Sequence, residues 1–200
     1  MPQAVILLTG GREAPYLLDF TRSLNPDVDV KAITSRYRFK EEMAGDLQNV
    51  RLISFLSPII VPSDVLNRLT LTPYNIHPGP PERPGLFPEA FAVAQGATDF
   101  GVTLHEMTDE IDAGPIIEIC RFEIAPDASR LEVLDQAERY AVQLFASLVR
   151  HCAFHDSSLP RSTETWSGKR TTARDYECLV RRRQDLKVPD EDSLIQALRA

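Results

Sequence analysis

Cysteine, long apolar runs and clustered positive charge are all scarce in this sequence, and each scarcity excludes a class of protein. Its three cysteines, Cys120, Cys152 and Cys178, are odd in number and widely spaced. They provide neither a disulfide framework nor the paired Cys and His spacing of a zinc site. We therefore expect no metal centre and interpret the thiols as buried or bystander groups.

Apolar runs are too short for a membrane span, and the apolar segment at residues 5–8 lacks the basic flank and the length of a signal peptide. We expect a cytoplasmic protein with no membrane partner. The formal net charge of −7 argues against a nucleic-acid surface, because such surfaces neutralise phosphates with clustered Lys and Arg. A small-molecule partner is the expectation that remains, and the oligomeric state is open.

Two hundred residues, 43% of them hydrophobic, suffice for one core. Strand-like and helix-like segments alternate from residue 4 to residue 150, which favours an α/β fold with a doubly wound, mixed and mostly parallel sheet. The composition turns polar and basic from residue 160. We therefore predict an α/β domain at residues 1–157 and a short helical tail at residues 158–200 that packs on it through Trp166, Tyr176 and Leu179.

The periodicity of apolar residues places the elements along the chain. Strands are predicted at residues 4–8, 28–33, 51–57, 71–76, 100–107 and 115–124. Helices are predicted at residues 14–24, 40–47, 64–71, 87–94, 129–154 and 172–183. Ser63 and Ser129 are the predicted N-caps, and Glu132 completes a capping box with Ser129.

The first run with candidate chemistry, residues 73–85, reads PYNIHPGPPERPG. Asn75 and His77 leave the end of a predicted strand on one face, because side chains two apart on a strand point the same way. The prolines that follow exclude both a helix and a central strand. The carboxyl end of a strand is where open α/β sheets bind ligands.

The second run, residues 107–115, adds Asp112 in a glycine-containing loop between two predicted strands. An Asn donor, a His that carries a proton and an Asp that orients the His suit acyl transfer through a tetrahedral intermediate. A proline turn with a capped, non-catalytic imidazole is the alternative, and composition alone favours it. We expect His77 and Asp112 to lie in loops at the sheet edge, and we interpret His105 as structural.

Together the two runs resemble the folate-dependent formyltransferase family. The matching residues are Asn75, His77, Pro78, Gly85, Gly101, Thr103, Asp112, Gly114, Pro115, Ile116 and Ile117. Leu56-Ser57-Pro58 is similar to the strand whose backbone holds the pterin in these enzymes. The resemblance covers roughly residues 50–120 and implies the Rossmann-like formyltransferase fold.

What the resemblance implies for function is transfer of a formyl group from 10-formyltetrahydrofolate to the primary amine of a small acceptor, with an amino sugar as the first expectation. It assigns catalysis to Asn75, His77 and Asp112, and folate binding to Ile53, Ser54, Leu56, Val61, Met107, Thr108, Asp109 and Asp112. We expect the acceptor at Gly10, Gly11, Arg12, Pro78 and Arg83, where a glycine turn and guanidinium groups can bind an anion. Hydrolysis of the same folate, and folate binding without turnover, stay open as alternatives.

Overall fold

The computed structural model describes residues 1–186, and the predicted tail residues 187–200 lie outside the described residues. The strands are β1 (Ala4–Leu8), β2 (Asp29–Ile33), β3 (Val50–Phe55), β4 (Tyr74–His77), β5 (Asp99–Glu106) and β6 (Ile116–Glu123). The helices are α1 (Ala14–Leu24), α2 (Arg36–Met43), α3 (Ser63–Leu66), α4 (Pro88–Ala94), α5 (Arg130–Cys152) and α6 (Ala173–Arg182), followed by a 3-10 turn at Gln184–Leu186. No helix within residues 1–186 combines the length and the apolar character that a membrane span requires.

One six-stranded sheet organises the chain, in the order β2-β1-β3-β4-β5-β6. The first four strands pair in parallel, and β5 and β6 are antiparallel to their neighbours. Helices pack on both faces of the sheet. The predicted doubly wound α/β fold with a mixed, mostly parallel sheet is confirmed.

Strand alternation divides the core between the two faces of the sheet. On one face, Ile53 and Phe55 of β3 pack with residues of α1 and α5. On the other face, Leu52 packs with Phe39 and Met43 of α2. Because both faces are covered, every residue of β3 is buried, as expected for a central strand in an α/β sheet.

The long helix α5 begins as predicted. Ser129 accepts a hydrogen bond from the backbone N–H of Glu132, and the Glu132 carboxylate accepts one from the backbone N–H of Ser129 at 2.7 Å. This capping box satisfies two of the N–H groups that a helix start leaves without partners. The apolar stripe of α5 then packs on the sheet through Val133, Ala137 and Leu144.

Two helix predictions were wrong. The helix predicted at residues 40–47 begins at Arg36, because Ser35 caps it by accepting a hydrogen bond from the backbone N–H of Arg38. The helix predicted at residues 64–71 is the single turn α3, with Pro62 rather than Ser63 at the N-cap position. A tertiary contact takes the place of its later turns, since the Thr70 hydroxyl accepts a hydrogen bond from the backbone N–H of Asn49.

The tail packs on the domain through a buried cation. Arg130 at the start of α5 donates to Glu89 of α4 at 2.9 Å, to the hydroxyl of Tyr176 in α6, and to the carbonyl of Leu186. Tyr176 itself packs against Phe87, with 4.1 Å between the ring centroids and the ring planes tilted by 33°. Tyr176 of the tail therefore packs on Phe87 and Ala90 in a small apolar cluster separate from those on the sheet, while the boundary at residue 157 stays a prediction.

Candidate active site

The candidate catalytic side chains occupy one face of the sheet. Asn75 and His77 alternate with Tyr74 and Ile76, which lie in the core on the face covered by α5. The antiparallel register pairs Asn75 with His105 of β5. Paired residues on neighbouring strands point the same way, so the two histidines and the asparagine share the face opposite α5.

Three segments without helical structure cover these side chains. We call them the proline loop (residues 78–86), the aspartate loop (residues 107–115) and the strap (residues 162–172). The hydroxyl of Thr103 donates to the carbonyl of Gly79 at 2.7 Å and so attaches the proline loop to β5. The aspartate loop connects β5 to β6 and carries Asp112 back over β4.

Asp112 is the point where these segments meet. Its Oδ2 lies 3.3 Å from Nδ1 of His77, and its Oδ1 lies 3.5 Å from Nε2 of His105. The backbone N–H of Gly85 in the proline loop donates to Oδ2 at 2.9 Å. Asp112 is 8% exposed and has a φ of +49°, an uncommon conformation for a residue with a side chain. Long-range contacts therefore hold this carboxylate in place.

Opposing effects act on the pKa of Asp112. Burial raises it, but the neighbouring His77, His105 and the N–H of Gly85 lower it more strongly, and the pKa falls from 3.8 to about 2. Opposite charges and hydrogen bonds to the charged form both favour ionisation. Asp112 is therefore an anion at neutral pH and a weak base.

The Asn75 amide bridges two members of this cluster. Its Nδ2 lies 3.0 Å from Nε2 of His105 and donates to Oδ1 of Asp112 at 3.5 Å. Nδ1 of His105 lies 2.8 Å from the carbonyl of Glu106, which can only accept a hydrogen bond. His105, interpreted from the sequence as structural, thus belongs to the cluster.

His77 has a hydrogen-bond acceptor at each ring nitrogen. Nε2 lies 3.0 Å from the carbonyl oxygen of Arg83, and Nδ1 faces the Asp112 carboxylate. The expectation that His77 lies in a loop outside the core was wrong: it ends β4 and is 3% exposed. Asp112 does lie in a loop but is also buried, because the proline loop and the strap close over both residues.

The strap joins the two loops above the cluster. The indole N–H of Trp166 donates to the carbonyl of Gly114 at 2.7 Å, and its ring lies 5.0 Å from the His105 ring and 5.7 Å from the His77 ring. The backbone N–H groups of Ser167 and Gly168 donate to the carbonyl of Pro81. Trp166 was predicted to anchor the tail, and the structure shows in addition that its ring borders the candidate site.

The predicted folate-binding residues separate into two groups. The Ile53 side chain lies in the core on the face opposite the cluster, whereas Ser54 pairs in register with Asn75. The remaining predicted residues lie in the chain that follows β3 or in the aspartate loop: Leu56, Val61, Met107, Thr108, Asp109 and Asp112. Ile60 and Ile111, in the same two segments, are 56% and 39% exposed. They are accessible apolar groups that sequence reasoning missed.

The predicted acceptor-binding residues do not form one site. Gly10 and Gly11 lead into Arg12, which lines a cavity of about 280 Å³ and pairs with Glu13 and Glu138. Pro78, half-buried, follows His77 at the start of the proline loop. Arg83 lines a separate cavity of about 320 Å³ between the proline loop, α4 and the strap. The two guanidinium groups predicted to bind one acceptor therefore lie in different cavities.

Sequence comparison identifies proteins that are similar to this chain. The profile of the family described as Formyl transferase matches residues 21–149. The methionyl-tRNA formyltransferase of Myxococcus xanthus is 33% identical over 90 residues, which are 44% of this chain and 28% of that protein. The dTDP-4-amino-4,6-dideoxyglucose formyltransferase of Mycobacterium tuberculosis is 48% identical over 44 residues, 22% of this chain and 18% of that protein. The matched segments thus span less than a third of either curated relative.

Among solved structures, the formyltransferase PseJ from Anoxybacillus kamchatkensis has a TM-score of 0.68 at 19% identity, over 98% of this chain and 97% of that one. That protein was solved in complex with UDP-4,6-dideoxy-4-formamido-L-AltNAc and tetrahydrofolate. At this level of identity the likeness shows a shared fold. Because the family profile covers more than half of the sequence and the fold agrees, this chain belongs to the formyl transferase family.

Proposed function

We propose that this chain transfers a formyl group from 10-formyltetrahydrofolate to the primary amine of a small acceptor, an amino sugar. The observation that carries the proposal is the contact of the buried, ionised Asp112 with His77 at 3.3 Å, beside the amide of Asn75. The amino sugar is suggested by the Mycobacterium tuberculosis relative, named for an amino-dideoxyglucose substrate, and by the sugar nucleotide bound to PseJ.

The residues around the cluster fit a reduced folate. When bound, 10-formyltetrahydrofolate supplies the activated formyl group. Ile60 and Ile111 expose apolar surface on the two segments proposed to hold the folate. Such surface suits the flat ring system, while backbone groups near Leu56 and Met107 would bind its polar edge.

Formyl transfer needs a donor for the oxygen that gains negative charge as the amine attacks. Asn75 and the protonated ring of His77 are the donors that we assign to this role. In the resting structure the carbonyl oxygen of Arg83 accepts from Nε2 of His77. A formyl oxygen would replace that carbonyl as the acceptor, which requires a shift of the proline loop at Arg83.

The reaction also moves a proton. A bond forms between the acceptor nitrogen and the formyl carbon, the bond from that carbon to the folate nitrogen breaks, and one proton passes from the first nitrogen to the second. We assign this transfer to the His77 ring, which donates to the leaving nitrogen and regains a proton from the amine. Asp112 remains ionised throughout and stabilises the charged ring, because its own pKa of about 2 makes it a weak base.

A panel of acceptors tests the proposal. The protein is incubated with 10-formyltetrahydrofolate and, separately, with dTDP-linked and UDP-linked amino sugars, glycinamide ribonucleotide and initiator methionyl-tRNA. We expect tetrahydrofolate and formylated amino sugar in equal amounts. Formation of tetrahydrofolate at the same rate with and without an amine would establish hydrolysis instead. Folate binding without release would establish a binding protein, and methionyl-tRNA as the best acceptor would exclude the amino sugar.

A further inference from the structure

The cavity beside Arg83 concentrates positive charge in an acidic protein. Its volume is about 320 Å³, and three cations line it: Arg83 of the proline loop, and Lys169 and Arg170 of the strap. Two carboxylates, Glu82 and Asp175, also line it. Whether the cavity attracts an anion depends on whether these carboxylates are available to the cations.

Both carboxylates are committed to other partners. Glu82 accepts hydrogen bonds from Nη1 and Nη2 of Arg121 at 3.1 and 2.9 Å, and this pairing is the main reason that its pKa is lowered. Asp175 accepts from the backbone N–H and the hydroxyl of Thr172 at 2.9 and 2.6 Å and so caps α6. Within residues 1–186 neither carboxylate lies at ion-pair distance from a cation of the cavity, and the charges of Lys169 and Arg83 act on Asp175 and Glu82 only at longer range.

The three cations are correspondingly available. Lys169 and Arg170 have no ion pair or side-chain hydrogen bond with any residue from 1 to 186. Nη1 of Arg83 donates to the side-chain oxygen of Gln95 at 2.6 Å, a neutral partner. Burial lowers the pKa of Arg83, an effect that Asp99 and Glu82 partly offset. A guanidinium that has lost part of its hydration gains most from a charged ligand.

One short segment connects this cavity to the candidate catalytic cluster. The Arg83 side chain lines the cavity, while its carbonyl accepts from His77. Two residues later, the N–H of Gly85 donates to Asp112. Arg83 therefore belongs to both places, through its carbonyl oxygen at His77 and through its side chain in the cavity. Pro88 and Phe91 add an apolar wall that suits the organic part of such a molecule.

We propose that this cavity binds the phosphate or diphosphate group of the acceptor through Arg83, Lys169 and Arg170, an assignment that rests on the proposed function. The acceptor class is then an amino sugar that carries phosphate, either as a sugar phosphate or as a sugar nucleotide. Guanidinium and ammonium groups bind phosphate oxygens by charge-assisted hydrogen bonds. The strap thus supplies acceptor recognition in addition to covering the cluster.

Calorimetric titration of the whole chain tests the site without catalysis. The probes are inorganic phosphate, inorganic pyrophosphate and uridine diphosphate, added to the parent protein, Lys169→Ala and Arg170→Ala. Arg181→Ala is the matched control, because it removes an exposed cation of α6 that does not line the cavity. We expect at least one probe to bind the parent and each cavity variant to weaken it roughly tenfold. The control should retain the parent affinity.

The three probes also distinguish the source of the phosphate. Equal affinity for pyrophosphate and uridine diphosphate assigns the binding to the diphosphate, and tighter binding of uridine diphosphate adds a contribution from the nucleoside. Binding of inorganic phosphate as tight as that of pyrophosphate assigns the site to a single phosphoryl group. Each of these results supports the site. Absence of binding by all three probes, or an equal loss in Arg181→Ala, overturns it.

Failure of this inference is distinguishable from failure of the proposed function. Titration with 5-formyltetrahydrofolate tests the folate site, and we expect the parent affinity for it in both cavity variants. In the transfer assay the variants should raise the acceptor KM and leave kcat unchanged, since the phosphate contact stabilises the bound acceptor and the transition state equally. A parent protein that binds the anion probes but no folate would refute the proposed function and leave the anion site standing.

Discussion

The Asp112 carboxylate lies 3.3 Å from Nδ1 of His77, and the N–H of Gly85 donates to the same oxygen at 2.9 Å. A strand end, the aspartate loop and the proline loop therefore meet at one atom. Asp112 adopts a left-handed φ of +49°, a conformation that costs roughly 1 kcal/mol or more for a residue with a side chain. The converging contacts offset that cost. Because they favour the ionised carboxylate, the negative charge of Asp112 contributes to the stability of the site.

Stability should depend on pH through Asp112. Its folded pKa of about 2 lies below the ordinary value of 3.8, so its contribution is present above about pH 4 and is lost as the pH falls through 2. From the size of that shift, Asp112→Asn should lower the free energy of unfolding by about 2 kcal/mol at neutral pH. Urea unfolding of both proteins between about pH 7 and pH 3 measures the difference.

Asp109→Asn is the matched control, because Asp109 is an exposed residue of the same loop. The stability gap between parent and Asp112→Asn should narrow as the pH is lowered, while the Asp109 variant should follow the parent. A gap that stays constant over the whole range would show that the charge of Asp112 does not stabilise the fold.

The exposed isoleucines test the folate position. Ile60→Asp and Ile111→Asp place a charge on apolar surface that we expect the folate to cover, and each should weaken 5-formyltetrahydrofolate binding roughly tenfold or more. Both side chains are exposed, so the fold should be unaffected. Leu131→Asp, an exposed leucine on α5, is the control. Unchanged folate affinity in both isoleucine variants would move the folate site elsewhere.

The fluorescence of Trp166 provides an independent measurement of folate binding. It is the single tryptophan of the sequence, and its ring borders His77 and His105. Binding of 5-formyltetrahydrofolate should change its emission with the same dissociation constant that calorimetry gives. Trp166→Phe should remove the optical signal and retain calorimetric binding. Calorimetric binding to the parent with no change in emission would place the ligand away from the strap.

Gly168 tests how the strap holds the proline loop. A methyl group added at Gly168 would overlap the carbonyl oxygen of Glu82, a backbone atom that cannot move aside alone. Gly168→Ala should therefore displace the strap, lower stability by roughly 1–3 kcal/mol and reduce turnover. Thermal unfolding and formyl transfer measure the two effects. Gly45→Ala, where the added methyl meets only an ordinary contact, should behave as the parent. Parent-like stability of both variants would show that the strap does not pack closely against the proline loop.

Local patterns predicted the parts of the site that depend on neighbours in sequence. Alternation placed Asn75 and His77 on one face, and the Ser129 box placed the start of α5, because both features arise within a few residues. The doubly wound, mostly parallel character of the sheet also followed from the alternation of element types. These expectations did not require knowledge of any long-range contact.

The features that sequence reasoning missed depend on contacts between distant segments. His105 joins the cluster because the β4–β5 register sets it opposite Asn75, and register depends on a connection that passes through α4. Trp166 reaches the site because backbone hydrogen bonds hold the strap against the proline loop. The spacing of apolar residues in sequence does not predict such a contact. For the same reason the burial of His77 was missed, since its cover comes from residues far along the chain.

Formyl transfer by the parent, His77→Asn and His155→Ala, assayed side by side, tests the central claim most directly. Each protein receives 10-formyltetrahydrofolate and an amino sugar nucleotide, and the formylated product is quantified by mass spectrometry. We expect product from the parent and from His155→Ala, whose ring is exposed and outside the cluster. His77→Asn should lose roughly a hundredfold or more in rate, because it removes both an oxyanion donor and a proton carrier. A His77→Asn variant that stays folded and turns over at the parent rate would contradict the account.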